Sequence, residues 1–552
     1  MTAKDTPIVM SEFASTIMKQ KYSHTLNDDT KETWENISYR TAKHVMKAVG
    51  ASKEIVNEIQ QMIRDRKFMP GGRYLYASGR PFHQIQNCLL LRAEDSREGW
   101  AKLMQEITMA LMTGAGIGVD YSDVRAEGSL VRKTGGTSTG PIALMQMVNE
   151  AGRGIMQGGA RRSAIWAGLS WKHADIHKFI ACKEWSQEVR DLKERQFDFP
   201  AFLDGTNISV LLDDEFFEAF ENPKHTLHAS AQSIYWQTTE HMLRSAEPGF
   251  SVDVGKNSGE TLRNACCELT SRDSSDICNL GSINLARIES LEEMKRVTEL
   301  GTMLLLAGTV YSDVPYAAVD AIRTKNRRLG LGLMGVHEWL LLRGKKYQKD
   351  EDLQKYLEIY ATSTEIAHKY AKEWSLSKPV KTRAIAPTGT IGIVAETTTG
   401  IEPIFCAAYK RRYKKGLDMT AYQYVLDPTA MKLVAMGVEP DNIEDAYTLA
   451  ENVENRVAFQ AWVQEYVDHG ISSTINLPAW GSEHNNAKTV KTFGNMLIKY
   501  LPKLRGITCY PDGARGGQPL TPVKYTTAIK HVGEIFIETM DVCDLTKAGS
   551  CG

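Results

Sequence analysis

An asparagine, a glutamate and three cysteines lie close together in the segment NACCELTSRDSSDIC, residues 264–278. In an extended loop alternate residues face the same side, so Asn264, Cys266 and Glu268 would point into one cavity and Cys267 away from it. A nearby carboxylate raises the pKa of a thiol, which disfavours a thiolate nucleophile. The pattern indicates a neutral thiol that loses a hydrogen atom, with Glu268 as general base and Asn264 as a positioning group. The alternative is cysteines packed as small hydrophobic residues.

The segment APTGTIG, residues 386–392, has small and hydroxyl-bearing residues where a strand should give way to a helix. Successive backbone N–H groups at such a turn can bind a phosphate group. No Gly-Lys-Ser or Gly-Lys-Thr follows, so the segment is not a Walker A loop. On these residues alone, an ordinary strand–helix turn is the stronger interpretation.

Two further segments are rich in glycine: GGTSTGP, residues 135–141, and QGGARRSA, residues 157–164. Paired arginines beside such loops suit a nucleotide, because guanidinium groups bind phosphate oxygens in pairs. The alternative is two exposed turns with solvated charges. GAGIG at 114–118 is not a dinucleotide-binding fingerprint, and its glycines indicate close packing of a strand and a helix.

Two cysteines, Cys543 and Cys551, stand in the final segment DVCDLTKAGSCG. Thiols on a mobile chain end can reduce a buried disulfide by thiol–disulfide exchange. The alternative is a disordered terminus with incidental cysteines. A zinc site is disfavoured, because only two cysteines lie within reach and no histidine accompanies them.

The composition is that of an ordinary globular protein, with 552 residues, 42% hydrophobic, 24% charged and a formal net charge of -1. This charge gives no indication of binding to bulk nucleic acid or to an anionic membrane. No signal peptide is recognisable and no stretch approaches the roughly 18 apolar residues of a membrane span. We therefore expect a cytoplasmic protein without nucleic-acid or membrane partners, whose nine cysteines are mostly reduced.

Residues 1–86 contain apolar residues at helical spacing and are expected to form a short helical region. Further along the chain, helical segments alternate with short apolar runs flanked by glycine. This alternation predicts an α/β fold with parallel strands and functional loops at the strand ends. We expect a catalytic domain at 87–530 and a flexible, cysteine-containing tail at 531–552.

Taken together, the motifs resemble those of ribonucleotide reductase catalytic subunits. NACCE at 264–268 is similar to the N-x-C-x-E finger-loop motif of that family, and CNLGSINL at 278–285 resembles the strand that carries one of its redox cysteines. Cys88, in QIQNCLLL, resembles the other redox cysteine. The matches run in family order from about Cys88 to Arg515 and include KNRRLGLGLMG, TGIEP and GITCYPDG.

The resemblance implies a fold and a reaction. The fold would be a ten-stranded α/β barrel, in which two parallel five-stranded halves lie antiparallel to each other around a central finger loop. Cys266 would be the thiyl radical that abstracts the ribose 3′ hydrogen. Glu268 would take the 3′-hydroxyl proton, with Asn264 assisting.

The same resemblance implies the other sites. Cys88 and Cys278 would supply two electrons and end as a disulfide, which Cys543 and Cys551 would reduce again with thioredoxin or glutaredoxin as the external reductant. The substrate would be a ribonucleoside di- or triphosphate. Its phosphates would be bound by Thr388, Gly389, Thr390 and Ile391. A dNTP or ATP effector that sets specificity would be bound by Asp120, Arg132, Gly158, Gly159, Arg161 and Arg162.

Members of the family obtain the radical from adenosylcobalamin, from a separate metal-containing subunit or from a glycyl radical. CNLGSINL, APTGTIG, KNRRLG and GITCYPDG are most similar to the adenosylcobalamin-dependent class. Tyr510 stands alone where subunit-dependent enzymes usually have two adjacent tyrosines, which favours cobalamin. The alternative, as in some compact phage-type members, is a radical-generating small subunit with Tyr510 as a relay. We expect a monomer or a homodimer.

Two interpretations from other classes stay open on the sequence alone. One is a thiol oxidoreductase or metal-binding protein that uses the clustered cysteines without a radical, and it predicts bound zinc or a disulfide involving Cys267. The other is a nucleotide-binding regulator, and it predicts dNTP binding without turnover.

Overall fold

A computed structural model describes residues 9–536 of the chain except 28, 133–134, 156–162, 197–198, 416–418 and 515–519. Residues 1–8 and 537–552 also lie outside the described part. Within the described part, every helix is too short or too polar to cross a lipid bilayer.

Helices and strands alternate along most of the chain, as the sequence predicts. The helices are α1 (Glu12–Lys21), α2 (Trp34–Met46), α3 (Lys53–Arg64), α4 (Gly72–Ala77), α5 (Arg97–Met112), α6 (Gly140–Gly154), α7 (Ile176–Ala181), α8 (Gln187–Arg195), α9 (Asp214–Glu221), α10 (His228–Ser245), α11 (Leu291–Gly308), α12 (Ala317–Asn326), α13 (Val336–Leu341), α14 (Glu351–Ala361), α15 (Ser363–Glu373), α16 (Gly389–Ala395), α17 (Pro428–Ala435), α18 (Ala446–Ala450), α19 (Val453–Gln464), α20 (Val490–Tyr500) and α21 (Tyr525–Ala528). The strands are β1 (Phe68–Pro70), β2 (Leu89–Arg92), β3 (Ile117–Asp120), β4 (Ile165–Ser170), β5 (Thr206–Asp213), β6 (Gly249–Asp253), β7 (Leu262–Arg263), β8 (Thr270–Ser271), β9 (Asp276–Ile277), β10 (Leu280–Asn284), β11 (Gly330–Met334), β12 (Ala408–Lys415), β13 (Met419–Leu426), β14 (Thr474–Leu477), β15 (Gly506–Pro511), β16 (Leu520–Pro522) and β17 (Ile535–Phe536).

The largest sheet has eight strands in the order β14-β15-β6-β5-β4-β3-β2-β9. Strands β2 to β6 are mutually parallel, and helices connect them, as is usual for crossovers between parallel strands. β15 pairs antiparallel with β6, and β9 pairs antiparallel with β2. The predicted α/β fold with parallel strands is therefore confirmed.

A second sheet has the order β1-β10-β11, with β10 and β11 parallel. Two single parallel bridges extend from it, Leu331 with Arg383 and Ile385 with Ile471. Ile471 lies three residues before β14, which belongs to the eight-stranded sheet. Single bridges, and not a continuous ladder, therefore link β11 through 383–385 to the segment that leads into β14.

The N-terminal helices share a hydrophobic core with the second sheet. Ile37 and Val45 of α2 are fully buried in the same cluster as Leu304 and Leu305 of α11. β1 adds the antiparallel edge strand to β10. The region 1–86, predicted from helical periodicity, therefore also contributes a strand, and it packs against the rest of the chain through a common core.

A third sheet is the hairpin of β12 and β13, flanked by β16 and β17. β17 pairs antiparallel with β13, Tyr422 opposite Phe536. The predicted tail, 531–552, thus begins with residues that pair with a strand. Its remainder, with Cys543 and Cys551, lies outside the described residues.

Candidate active site

The segment 264–269 is a loop held at its base by the antiparallel pair of β7 and β8. The Cys267 N–H donates to the Asn264 carbonyl at 3.0 Å, and Cys267 has a φ of 65°. The side chain of Asn264 accepts a hydrogen bond from the Leu269 N–H at 3.0 Å, which ties the two sides of the loop together. The loop is therefore a tight turn, and the expectation of an extended segment is wrong.

This finger loop lies directly against β3. A side chain at Gly118 would overlap the Arg263 carbonyl oxygen, and one at Gly116 would come within 2.8 Å of the Cys88 sulfur and 3.0 Å of the Ala265 Cβ. Of the GAGIG glycines, Gly116 and Gly118 thus leave room for the finger loop. The sequence predicts that these glycines let a strand pack closely against a helix. At Gly116 and Gly118, however, the element in close contact is the finger loop, so this prediction is wrong in its partner.

Cys88 and Cys278 lie side by side. The Cys88 N–H donates to the Cys278 sulfur at 2.8 Å, and the Cys278 N–H donates to the Cys88 carbonyl at 2.9 Å. Neither cysteine is in a disulfide. Burial raises the pKa of Cys278, and the neighbouring Cys88 raises it further. The structure therefore holds two reduced cysteines next to each other, and Cys278 is kept as a neutral thiol.

One small hydrophobic cluster connects these thiols to the other predicted sites. Cys278 packs with Leu262 and Leu269, which flank the finger loop, and with Ala384 and Ala386, which precede the glycine-containing turn. Cys88 packs against the same cluster. The finger loop, the cysteine pair and the strand leading to the 386–392 turn therefore meet in one place.

The carboxyl group of Glu268 lies in this interior, with only 1% of the residue exposed. Burial raises its pKa to about 8, the adjacent Cys88 contributes to the rise, and the Asn264 side chain opposes it. Two polar atoms, Glu268 Oε2 and Asn264 Nδ2, are buried without a hydrogen-bond partner among the described residues. Such atoms are costly to bury unless a ligand or water completes their hydrogen bonds. Cys266 itself is half-buried.

A buried ion network supports the base of the finger loop. Glu260 binds Lys381 and lies 3.2 Å from Arg328, whose Nε is 2.5 Å from Asp276. Burial alone would raise the pKa of Glu260, but Arg328 and Lys381 outweigh it and lower this pKa to about 2. The Thr270 hydroxyl donates to Glu260 at 2.7 Å, which attaches β8 to the network.

Sequence reasoning missed the four charged members of this network. Arg328 lies in KNRRLG, which resembles a family motif, but a buried arginine and an exposed one look alike in a single sequence. Asp276 and Glu260 likewise carry no spacing that distinguishes them from surface carboxylates. Only their pairing in the three-dimensional structure identifies these four residues.

The predicted phosphate turn precedes α16. Thr388 has a φ of 50°, its hydroxyl accepts a hydrogen bond from the Gly400 N–H at 2.9 Å, and its carbonyl accepts one from the Gly392 N–H at 2.7 Å. No side chain caps the helix. The N–H groups of Gly389, Thr390 and Ile391 have no acceptor within the described part of the chain. They form a row of donors at the positive end of a helix, as an anion site requires.

The predicted effector residues are only partly described. Asp120 ends β3 and is 1% exposed. Its carboxylate accepts hydrogen bonds from the Ser122 hydroxyl and the Thr261 hydroxyl, each at 2.6 Å, and so connects β3 to the segment before the finger loop. Arg132 is exposed. Gly158, Gly159, Arg161 and Arg162 lie outside the described residues. An effector role for these six positions stays a prediction.

Tyr510 lies on β15, in register with Asn476 of β14, and is half-buried. Its neighbour Cys509 is fully buried and packs in the core of the large sheet. A relay role for Tyr510 stays a prediction.

The comparisons with known proteins agree with this geometry. Residues 86–248, 230–378 and 380–510 match the family model "Ribonucleotide reductase, barrel domain". A vitamin B12-dependent ribonucleoside-diphosphate reductase of Thermoplasma acidophilum is 24% identical over 527 residues, which cover 84% of this chain and 66% of that protein. A protein of the same description from Mycobacterium tuberculosis is 26% identical over 579 residues, covering 93% of this chain and 81% of that one.

A solved structure has the same fold. The crystal structure of a B12-dependent (class II) ribonucleotide reductase superposes with a TM-score of 0.69 and 16% sequence identity, covering 93% of each chain. The similarity extends beyond the 86–510 region matched by the family model.

Proposed function

Because the chain belongs to the ribonucleotide reductase family, we propose that it reduces ribonucleotides to 2′-deoxyribonucleotides with a thiyl radical at Cys266. The observation that carries the proposal is one interior where the finger loop meets the Cys88–Cys278 pair. There, Asn264 and Glu268 present buried polar atoms without partners. A bound ribose would supply the missing hydrogen-bond partners, because its hydroxyls both donate and accept.

The reaction needs each of these groups. Direct loss of the 2′-hydroxyl is difficult, but hydrogen abstraction at the 3′ carbon by Cys266 leaves a radical from which the neighbouring hydroxyl departs as water. Glu268 takes the 3′-hydroxyl proton, and its pKa of about 8 suits proton transfer near neutral pH. Cys88 and Cys278 form a disulfide and so give up two electrons and two protons, of which one proton completes the departing water and the other is added at the 2′ carbon, while Glu268 returns its proton to the 3′ oxygen. The hydrogen atom then returns from Cys266 to the 3′ carbon.

The turn at 388–391 is proposed to bind the substrate phosphates. Its support is the row of backbone donors at Gly389, Thr390 and Ile391. Backbone donors do not distinguish one base from another, so this turn would bind every ribonucleotide substrate and leave base selection to the proposed effector residues.

Adenosylcobalamin is the proposed source of the radical. When bound, this cofactor supplies a radical that takes a hydrogen atom from a thiol. The structural support for this cofactor is the partial exposure of Cys266. Cys266 is half-buried at the turn of the finger loop, so a cofactor bound next to the loop could approach its sulfur, whereas Glu268 is buried. Support also comes from the B12-dependent relatives. With this source the chain needs no radical-generating small subunit.

The pairings of the two halves support a closed ten-stranded barrel. β2 to β6 would form one parallel half, and β10, β11, 383–386, 471–477 and β15 the other. The single bridges at Leu331 and Ile385, with the antiparallel contacts of β15 to β6 and of β9 to β2, provide the junctions. In such a barrel the finger loop would occupy the centre.

The assay that tests this function uses the purified chain with a ribonucleoside di- or triphosphate, a dNTP effector and dithiothreitol, with and without adenosylcobalamin. The expected result is deoxynucleotide that forms only when adenosylcobalamin is present. Product formed equally well without the cofactor would contradict the radical source. No product under any condition, with intact dNTP binding, would favour the regulator alternative.

A further inference from the structure

A cavity of about 340 Å³ lies where β6 ends and β15 begins. It contains none of the residues of the finger loop, the cysteine pair or the phosphate turn. Its charged lining residues are Lys256, Arg383, Glu465, Asp468, Lys503 and Arg505. Cationic side chains therefore outnumber anionic ones around it.

One ion pair in the cavity wall is self-contained. Arg383 Nη2 lies 3.4 Å from Asp468 Oδ2, and Arg383 Nε donates to the Tyr466 carbonyl at 2.7 Å. The Asp468 carboxylate also accepts the Arg383 N–H at 2.8 Å. The Arg383–Asp468 pair contributes no net charge to the cavity wall, so the remaining charged lining residues determine the electrostatic potential of the cavity.

Arg505 is the residue whose charge is not fully offset. It is 4% exposed, and Nη2 has one long contact, 3.4 Å, to Asp253 Oδ1. Nε and Nη1 have no hydrogen-bond partner among the described residues. Burial and the nearby Arg263 lower the pKa of Arg505 to about 10, in the direction expected for a cation short of counter-charge. A buried guanidinium with unpartnered donors is costly unless an anion approaches it.

Two exposed lysines, Lys256 and Lys503, flank the opening of the cavity. We propose that this cavity binds a phosphate-class oxyanion, with Arg505 at its base and the two lysines at its rim. At about 340 Å³ the cavity has room for more than one phosphate group. A pyrophosphate or the phosphate end of a nucleotide therefore fits better than a single phosphate.

The cavity is connected to the finger loop through Asp253. Besides its contact with Arg505, Asp253 accepts hydrogen bonds from the Gly259 N–H at 2.7 Å and the Glu260 N–H at 3.2 Å. Glu260 anchors the ion network at the base of the finger loop. An anion at Arg505 would therefore add negative charge next to the segment that positions Cys266.

The test measures binding of pyrophosphate and, separately, of ATP to the full chain by isothermal titration calorimetry. The variant Lys256→Ala with Lys503→Ala removes two exposed rim charges, so folding should be unaffected. The control, Lys488→Ala with Lys491→Ala, removes two exposed lysines that do not line the cavity. We expect the rim variant to bind pyrophosphate at least about tenfold more weakly, the effect of losing one charge-assisted contact, and the control to bind normally.

Two outcomes separate the sources of the anion. Weakened pyrophosphate binding identifies a free polyphosphate as sufficient, whereas weakened binding of ATP alone identifies the phosphate end of a nucleotide. Equal affinities in the rim variant and the control for both probes would overturn the proposal, because any binding would then belong to the turn at 388–391 or to another site. Arg505→Gln, checked for folding by circular dichroism, should abolish the affected binding.

Discussion

Glu268 is the residue whose ionisation decides when the proposed site can act. Its folded pKa of about 8 exceeds the value of about 4.3 for an exposed glutamate. Below pH 8 the free protein therefore holds the carboxyl protonated, and a general base must be deprotonated to accept a proton. Burial of the site excludes water from the radical. It also raises the pKa of Glu268, and therefore the pH above which this carboxylate can act as a base.

We predict that kcat/KM rises with pH, is half-maximal near pH 8 and levels off above about pH 9, because this ratio reports the ionisation of the free enzyme. Glu268→Gln should remove turnover. Steady-state rates between pH 6 and 9.5 provide the measurement. A profile that is flat across this range would contradict the assignment of Glu268 as the base.

The same shift has a consequence for stability. Between pH 4.3 and 8 the folded protein keeps a proton that the unfolded chain releases, so this group makes folding less favourable as pH rises through that window. The side chain of Glu268→Gln cannot ionise. The melting temperature of this variant relative to that of the wild type should therefore rise as the pH increases from about 5 to 8. Differential scanning calorimetry at several pH values tests this, and parallel pH curves for the two proteins would argue against it.

At the residue scale, the sequence alone could select candidates for the site. Asn264, Cys266 and Glu268 could be selected because their spacing combines a thiol, an acid and an amide. The turn geometry could not be predicted, because the positive φ of Cys267 depends on packing against β3. The pairing of Cys88 with Cys278 spans 190 residues and came from family resemblance alone.

At the element scale, the finger loop is positioned by a close approach to β3. We predict that Gly118→Ala displaces the loop, since the added Cβ would overlap the Arg263 carbonyl oxygen. Overpacking of this kind costs about 1–3 kcal/mol or more. Deoxynucleotide formation should be lost and the melting temperature lowered.

Gly154→Ala is the matched control for this change. Gly154 ends α6, and a Cβ there meets nothing within 4 Å. This variant should keep wild-type activity and stability. Full activity of Gly118→Ala would show that the loop does not need the contact with β3.

The buried ion network at the base of the finger loop also holds this loop in position. Arg328 is 4% exposed and pairs with both Glu260 and Asp276, so Arg328→Met leaves the buried Asp276 without its cation and Glu260 with Lys381 alone. We expect a loss of about 3–5 kcal/mol in the free energy of unfolding. Urea denaturation followed by tryptophan fluorescence measures it.

The neighbouring Lys325 offers a comparison. Its side chain is 62% exposed and pairs with Asp273 at 3.1 Å. Lys325→Met should cost no more than about 1 kcal/mol, as surface ion pairs do. Similar losses of unfolding free energy for the two variants would mean that the Arg328 network stabilises the protein no more than a surface ion pair does.

At the scale of the whole molecule, alternating helices and Gly-flanked apolar runs sufficed to predict an α/β fold. The pairing of β1 with β10 could not be foreseen, because more than 200 residues separate Pro70 from Gly281, and a three-residue strand carries almost no periodic signal. For the same reason the N-terminal region was predicted as helices alone. Its strand and its shared core emerge only from tertiary contacts.

The predicted role of the tail is to connect the active site to an external reductant. If Cys543 and Cys551 deliver electrons to the Cys88–Cys278 pair, replacing both tail cysteines by serine should spare activity with dithiothreitol and abolish it with thioredoxin. A small dithiol can enter the buried site directly, whereas a protein reductant needs an accessible intermediate. Equal activity with both reductants in this variant would exclude the shuttle.

The most direct measurement of the central claim is deoxynucleotide formation by two neighbouring variants, Cys266→Ser and Cys267→Ser. Both change one sulfur to oxygen in the same half-buried turn. We predict no product from Cys266→Ser, with substrate and effector binding intact, and near wild-type product from Cys267→Ser. Turnover that survives in Cys266→Ser would contradict it.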